Sequence, residues 1–397
     1  MSTFEIIDRK QFCKNIVSNG SILSEYDIDS LSSTWEYHPL LKHKNINYAK
    51  IFVNGKTLND CCPEYLRENW EEVQRKNKVF ARAFRNTKVR MTNCCLFDLL
   101  PENFTVEYFS LVNKITDHVL KLNERPKNYD FLVRVFEVCG EIENQKLNID
   151  FSPLKRELYK NDVRAFYEKI KKTSPYIKYN VFGSKTGRLS TKPGSFPMLN
   201  FNKQFRNILK PQNDLFVEID YNAAELRTLL ALNNYPQPEE DIHDWHIELF
   251  RKYFGETLNR DQAKQKVFAW LYNEKADTPV QEIKNAYSKS DILAKYYKNG
   301  SVSTPFGRTI PVEAEKALNF IIQSSSNDNF LLGAIKAFDF LQGKKSFVTS
   351  LMHDSILIDL KKEEEDLVAD LVEIMQNTAL SKFKVNIKKG YNFGEMR

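Results

Sequence analysis

Long apolar segments are absent from this 397-residue sequence. It contains no run of about 18 or more apolar residues, and its first residues include acidic side chains without an apolar core segment. A membrane-spanning helix needs about 20 apolar residues, and a secretory signal also needs a continuous apolar segment. The sequence therefore predicts no membrane partner and a cytoplasmic location. Internal repeats and low-complexity tails are also missing.

Cysteine patterns typical of metal sites or disulfide frameworks are missing as well. The six cysteines include the adjacent pairs Cys61-Cys62 and Cys94-Cys95, but no Cys-x-x-Cys and no His-x-x-x-His accompanies them. Zinc sites and disulfide-rich secreted domains show such spacings. We therefore expect reduced, structural thiols.

Charge of one sign is only weakly in excess. The net charge of +6 permits nucleic-acid binding without requiring it. Apolar residues make up 42% and charged residues 28% of the chain, which is ordinary for a globular protein. The length allows a large core and suggests two or three domains.

Two aspartates follow segments that favour β-strands. Phe216, Val217 and Ile219 are β-formers that run into Asp220, and strong helix formers begin at Ala223. Residues 347–359 predict a hairpin with His353 and Asp354 at its tip. Each aspartate alone could be an ordinary turn residue, because Asp is favoured in turns. Two aspartates on adjoining strands could instead bind a pair of Mg²⁺ ions, which accept one or two carboxylates together with water and substrate phosphates.

A helical segment between these aspartates carries a repeating pattern. Arg260, Lys264, Phe268 and Tyr272 recur every four residues. Because each residue of a helix turns about 100°, four-residue steps drift only about 40°, and the side chains form one slowly winding stripe. Two cations followed by two aromatics could bind a nucleoside triphosphate lengthwise. The aromatics could also belong to an ordinary core face, with the cations in solvent.

Helical spacing also appears at residues 105–123 and 128–143, which predicts a helical hairpin. In contrast, Asn54-Gly55 lies between two short β-forming runs in residues 48–58, which predicts a β-hairpin.

Several short segments resemble a known family. Three of these segments are TGRLS, which begins at Thr186, NFIIQ, which contains Asn319 and Gln323, and the ending GYNFGEMR. The strongest matches resemble motifs A, B and C of family A DNA polymerases, the bacterial DNA polymerase I type, in the family's order: DYNAAELR at 220–227, RDQAKQKVFAWLY at 260–272 and LMHDSILI at 351–358. Any one of these matches is weak, but six in the right order identify the family.

The resemblance implies an α+β fold, the polymerase right hand with an antiparallel-sheet palm, helical fingers and a helical thumb. By order along the chain, residues 1–100 would be an N-terminal region of unknown role, residues 101–180 the thumb, and residues 181–397 the palm and fingers. The acidic motifs of the proofreading exonuclease that often accompanies the family are not recognisable. The compact build suits a phage or other mobile element, and the location would then be the host cytoplasm.

The resemblance also implies roles for single residues. Asp220 and Asp354 would bind two Mg²⁺ ions, with Mn²⁺ as a substitute. The nucleotide would contact His243, Arg260, Lys264, Phe268, Tyr272 and Glu225. The DNA would contact Thr186, Arg188, Asn319, Gln323 and His353.

These roles make primer-template DNA and dNTPs the expected partners. They do not decide whether further replication proteins, such as a helicase or primase, also bind the chain. A carboxylate at Glu225 beside the sugar leaves little room for a ribose 2′-hydroxyl, which favours deoxynucleotides.

Two positions depart from the family pattern. Asn273 replaces the glycine that follows the motif B tyrosine, and Ser355 replaces an acid as the third residue of motif C.

Three other functions compete with DNA synthesis. A single-subunit RNA polymerase has the same carboxylates and a similar helix, but Glu225 argues for DNA synthesis. A catalytically inactive DNA-binding relic has no reason to keep both aspartates and both phosphate cations. A nuclease would use two aspartates but would not need the triphosphate helix.

Overall fold

The computed structural model describes residues 3–7, 14–42, 44–89, 94–272 and 280–397. It divides into two compact units, Met1–Glu137 and Val138–Arg397. The predicted domain boundaries at residues 100 and 180 stay predictions, and the departure at Asn273 lies outside the described residues. None of the described helices is long and apolar enough to span a membrane.

The first unit is mainly helical with short strands. Trp70 and Phe104 lie in its apolar core, and β1, β2 and β3 form an antiparallel sheet. The helices predicted at 105–123 and 128–143 are present. The described elements are β1 Phe4–Ile6, β2 Ile16–Ser18, β3 Ser21–Leu23, β4 Ser33–Thr34, β5 Asn47–Tyr48, α1 Ala49–Phe52, α2 Leu58–Cys61, α3 Glu64–Asn86, α4 Leu96–Leu99, α5 Glu102–Leu122 and, continuing past the boundary, α6 Tyr129–Asn144.

The β-hairpin predicted at residues 48–58 is wrong. The segment forms α1, a turn and the beginning of α2. Asn54 and Gly55 do adopt the left-handed φ angles of 50° and 80°, but the Gly55 N–H donates to the Lys50 carbonyl at 2.8 Å and so ends a helix. The same dipeptide therefore serves a helix end instead of a hairpin.

The cysteines follow the expectation in part. Cys61, Cys62, Cys94 and Cys139 are free thiols. Cys95 is disulfide-bonded, so the expectation of reduced thiols is wrong at this position.

The second unit combines one antiparallel sheet of four strands with helices and short strands. The strand, helix and hairpin predicted around Asp220 and Asp354 are present. The described elements are β6 Asn148–Ile149, α7 Ser152–Arg156, α8 Asn161–Ile170, β7 Tyr179–Asn180, β8 Ser190–Thr191, β9 Leu209–Lys210, β10 Leu215–Tyr221, α9 Ala224–Leu232, α10 Ile242–Phe254, α11 Arg260–Tyr272, α12 Gln281–Tyr287, α13 Lys289–Tyr296, β11 Tyr297–Lys298, β12 Ser301–Ser303, β13 Thr309–Pro311, α14 Ala314–Phe340, β14 Phe347–Met352, β15 Ser355–Leu360, α15 Leu367–Gln376 and β16 Val385–Gly390.

The main sheet has the strand order β14-β15-β10-β16, and all its pairings are antiparallel. One face of β10 packs against helices: the Tyr221 hydroxyl donates to the Met375 carbonyl of α15 at 2.7 Å, and a Cβ added at Gly333 of α14 would lie 2.8 Å from that hydroxyl. Because side chains alternate along a strand, Glu218 and Asp220 lie on the opposite face.

A buried polar network attaches the loop that contains Arg188 to α14. Arg308 and Asp328 form an ion pair with a 2.8 Å contact, and their side chains are 8% and 0% exposed. Asn327 donates to the Gly187 carbonyl at 3.0 Å and to Asp328 at 3.2 Å. Gly187 has a φ of 83°, and a Cβ there would lie 2.4 Å from the Arg308 guanidinium. Only glycine therefore permits this close approach.

Replacing Arg308 by methionine should leave the Asp328 carboxylate buried without its partner. Loss of one member of a buried pair costs about 3–5 kcal/mol, so we expect Arg308→Met to lower the free energy of unfolding by about that amount in urea titrations followed by circular dichroism. The double variant Arg308→Met/Asp328→Leu should recover at least half of the loss, because it leaves no isolated charge. The exposed control Arg251→Met should stay within about 0.5 kcal/mol of the wild type. An Arg308→Met protein as stable as the Arg251→Met control would contradict this account.

Candidate active site

The two predicted carboxylates lie side by side on the main sheet. Asp220 lies near the end of β10 opposite Ser355 of β15, and Asp354 lies in the turn that joins β14 to β15. The Tyr221 N–H donates to the Asp354 carbonyl at 3.2 Å. Burial, together with the negative charges of Asp354 and Glu218, raises the pKa of Asp220 to about 7. Burial also raises the pKa of Asp354.

The backbone beside both carboxylates is strained. Ala223, at the start of α9, has φ 49° and ψ 55°, and His353 in the β14–β15 turn has φ 51°. This left-handed region is unfavourable for residues with a Cβ, and strain of this kind clusters at functional sites. The fully buried Arg227 fixes the turn after β10, because its guanidinium donates to the carbonyl of Asn222 at 2.9 Å and to that of Glu240 at 2.8 Å.

Helix α11 has the bounds that the four-residue pattern predicts. Ala263, Val267 and Leu271 are buried, and the stripe lies next to this buried row, about 100° around the helix. The Lys264 ammonium lies 6.0 Å from the centroid of the Phe268 ring, and the Phe268 and Tyr272 rings are 6.1 Å apart. The alternative of a core face applies only in part, because Phe268 packs partly against the core whereas Tyr272 is exposed.

A cavity brings most of the predicted residues together. Ser326 and Asn327 of α14, which no motif indicated, contribute to its wall. The residues of its lining that the sequence predicted are Arg188, Glu225, His243, Lys264, Phe268, His353 and Asp354.

Glu225 is the centre of a small cluster at this cavity. The Arg188 guanidinium donates to its carboxylate, and the Tyr272 hydroxyl also hydrogen-bonds it. Partial desolvation, together with this carboxylate, raises the pKa of Tyr272. Three residues predicted to lie near the nucleotide and the primer therefore contact one another directly.

A second cluster surrounds the N-terminus of α10. The Asp241 side chain caps the helix by accepting from the His243 N–H at 2.8 Å, and it also accepts from Asn222 at 2.6 Å and from Arg260 at 3.1 Å. Although burial opposes it, these hydrogen bonds lower the pKa of Asp241 to about 2. Burial and the nearby Arg260 charge lower the pKa of His243, so the imidazole is neutral at pH 7. Asp241 was missed, although an aspartate before a predicted helix is a capping signal.

The other predicted DNA contacts lie outside the cavity lining. Thr186 is buried in the loop before Arg188, and its N–H donates to the Ser184 hydroxyl at 3.1 Å. Asn319 and Gln323 lie on one face of α14 and bond each other at 2.9 Å. Their roles stay predictions.

Three polar residues beside Asp220 were not predicted as site residues. The Asn386 side chain of β16 hydrogen-bonds Asp220. Lys388, which is also on β16, lies opposite Glu218 of β10. Both Asn386 and Lys388 reach Asp220 through the pairing of β10 with β16, and strand pairing is not local information. Asn386 and Lys388 could therefore not be placed beside Asp220 from the sequence, whereas side-chain alternation along β10 could have placed Glu218 on the same face.

The donor set of this face fits Mg²⁺ or Mn²⁺. Carboxylates of like charge stand together in a partly buried position, and burial together with the charges of Asp354 and Glu218 raises the pKa of Asp220. Among the described residues, no group of three or more His, Cys, Asp or Glu side chains could bind a metal by itself. Mg²⁺ does not need such a cage, because it uses one or two carboxylates with water and phosphate oxygens.

Comparison with curated proteins gives several matches to DNA polymerase I. The chain is 24% identical over 248 residues to the thermostable DNA polymerase I of Thermus aquaticus, which covers 51% of this chain and 30% of that protein. It is 34% identical over 244 residues to DNA polymerase I of Borreliella burgdorferi, covering 49% and 26%. It is 23% identical over 280 residues to that of Aquifex aeolicus, covering 60% and 48%. The matches thus span less than half the length of these relatives.

Comparison with solved structures gives a match to the POL domain of Pol1 from M. smegmatis, solved in complex with DNA primer-template and dNTP. The TM-score is 0.63 at 14% identity, and the match covers 91% of this chain and 86% of that one. It confirms the predicted α+β right-hand polymerase fold. No protein-family model matches the chain.

Removing the charge of Asp220 should stabilise the metal-free protein at high pH. A raised carboxyl pKa means that the folded state binds its proton more tightly, so the stability it contributes is present below pH 4 and is lost as pH rises through about 7. We expect Asp220→Asn to raise the free energy of unfolding at pH 8 on the order of 2 kcal/mol, with a much smaller effect at pH 4.5.

Urea titration in EDTA at both pH values measures this difference. The exposed control Asp370→Asn on α15 should show little pH-dependent change. An Asp220→Asn protein less stable than the wild type at pH 8 would show that the charge is better compensated than the structure indicates.

Proposed function

We propose that this chain, which is related to family A DNA polymerases over their polymerase region, is a DNA-directed DNA polymerase that adds deoxynucleotides to a primer 3′ end. One observation carries the proposal. Asp354, the neighbour of Asp220, lines the same cavity as Lys264 and Phe268 of the α11 stripe. A nucleotidyl transferase needs this combination of metal-binding carboxylates and a triphosphate-binding surface.

Asp220 and Asp354 would bind the two Mg²⁺ ions, with Mn²⁺ as a substitute. Bound Mg²⁺ supplies acidification of the primer 3′-hydroxyl and neutralisation of charge at the transferred phosphate. Asn386 orients the Asp220 carboxylate through its hydrogen bond. The strained turn at His353 aims Asp354 toward the cavity.

The nucleotide would lie along α11. Lys264 lines the cavity and would bind phosphate oxygens, and Arg260 would join it by exchanging Asp241 for phosphate. The neutral His243 would donate a hydrogen bond without adding charge. Phe268 would pack on the base, and Tyr272 would lie beside the sugar with Glu225.

Primer-template DNA would contact Arg188, Thr186, His353, Asn319 and Gln323. The network of Arg308, Asp328 and Asn327 supports this proposal, because it fixes the loop of Arg188 to the helix that carries Asn319 and Gln323. Such a polymerase would work in the compartment that contains the DNA and the dNTP pool, together with other replication proteins.

Primer extension on a defined template tests the proposed function. The wild type with Mg²⁺ and the complementary dNTP should extend the primer, and Asp220→Ala and Asp354→Ala should each reduce the single-nucleotide rate by at least about 1,000-fold, because each removes a metal ligand. Retained binding of primer-template by both variants controls for folding. The same labelled primer reports any shortening, which we do not expect. Tight DNA binding without extension by the wild type would instead indicate a catalytically inactive binding protein.

Glu225 should determine the choice of sugar. We expect Glu225→Ala to increase kcat/KM for a ribonucleotide relative to the matching deoxynucleotide by about 10- to 100-fold, because it removes bulk and charge beside the 2′ position. Glu225→Gln keeps the size of the side chain and should change the ratio less. An unchanged ratio in Glu225→Ala, or a wild type that prefers ribonucleotides, would contradict this role and favour an RNA polymerase.

A further inference from the structure

A glutamate on β10 lies beside the position at which motif C departs from the family. Ser355 occupies the position of the motif C acid, and its side chain is buried. The Ser355 hydroxyl lies 3.2 Å from the Glu218 carboxylate and 3.2 Å from the Met352 carbonyl. A carboxylate is thus present next to the position that lacks one, but it comes from the neighbouring strand.

The strand register explains this placement. Asp220 pairs with Ser355, and Glu218, two residues earlier on β10, points to the same face of the sheet. The negative charge of Glu218 acts on Asp220. The side chain is only 13% exposed, so its charge is poorly screened by solvent.

We propose that Glu218 supplies the third negative charge of the cation-binding face, in place of the motif C acid, and that the Ser355 hydroxyl orients it. This inference depends on the proposed function, since it concerns the same metal-binding face. A serine at position 355 is small enough to admit the glutamate and provides a hydrogen-bond donor for it. Two acids at positions 218 and 355 would repel each other, so the serine also removes a conflict.

A structural ion pair is the competing explanation for Glu218. The Lys388 ammonium lies 3.9 Å from its carboxylate, and Lys388 is 52% exposed. The charge of Arg206 also acts near Glu218, but that guanidinium donates to the Phe201 carbonyl at 3.2 Å and stacks on Phe393. A long contact to an exposed lysine contributes little stability. It does not account for a carboxylate placed beside Asp220.

Mn²⁺ titration of the full chain tests the inference, with free Mn²⁺ measured by electron paramagnetic resonance in the absence of DNA and nucleotide. We expect Glu218→Gln to raise the Kd for Mn²⁺ by about 10-fold, because it removes one charge from the site but keeps the size of the side chain. Glu218→Gln/Ser355→Glu, which moves the acid to the motif C position, should return the Kd to within about 3-fold of the wild type. Lys388→Gln should bind Mn²⁺ at least as tightly as the wild type.

The panel separates this inference from the proposed function. Three results would overturn the role of Glu218 alone, provided that Asp220→Asn still weakens Mn²⁺ binding. They are an unchanged Kd in Glu218→Gln, a loss of Mn²⁺ affinity in Lys388→Gln equal to that in Glu218→Gln, and a Kd that does not recover in the double variant. A wild type that binds no Mn²⁺, or whose Kd is unaffected by Asp220→Asn, would overturn the proposed metal site as well. Matching circular dichroism spectra identify variants that fold.

Discussion

The proximity of like charges on one face of an antiparallel sheet is the constraint on which the candidate site depends. Asp354 and Glu218 each act with negative charge on the partly buried Asp220. Glu218 precedes Asp220 by two residues on β10, but nothing in the local sequence would keep Asp354 beside them. The register of β10 with β15 and β16 holds the carboxylates together. On the opposite face of the sheet, Tyr221 packs against α14 and α15 and fixes the position of β10. The fold therefore stores an unfavourable charge arrangement that a divalent cation would relieve.

Buried polar groups also fix the loops that surround the candidate site. Arg227 binds carbonyl groups on the turn after Asp220, and Arg308 with Asp328 fixes the loop that presents Arg188. Such groups lie in the interior because each finds a partner, and removal of a partner would leave a desolvated charge. The arginine of motif A is thus a structural residue here, since its guanidinium does not line the cavity.

Local information predicted the elements, and non-local pairing limited the rest. The strand before Asp220, the hairpin at Asp354 and helix α11 follow from periodicity and turn chemistry within short windows. The segment at 48–58 failed because Asn54-Gly55 satisfies both a hairpin turn and a helix end, and only tertiary packing decides between them. Asn386 and Lys388 could not be assigned to the site, because a register between strands far apart in sequence brings them there. Glu218 was within reach of the sequence, because alternation along β10 puts it on the face of Asp220.

Several groups that would contact substrate are paired with each other in the structure. Arg188 contacts Glu225, and Arg260 contacts Asp241, yet Arg188 and Arg260 are 42% and 53% exposed. Exposed pairs contribute little free energy, so phosphate or DNA could displace the carboxylates at small cost. Affinity then reflects the difference between new and broken contacts, which is largest for a ligand that satisfies both arginines at once. Under the proposed function, a primer-template bound together with a triphosphate would be such a ligand, whereas either one alone would satisfy a single arginine.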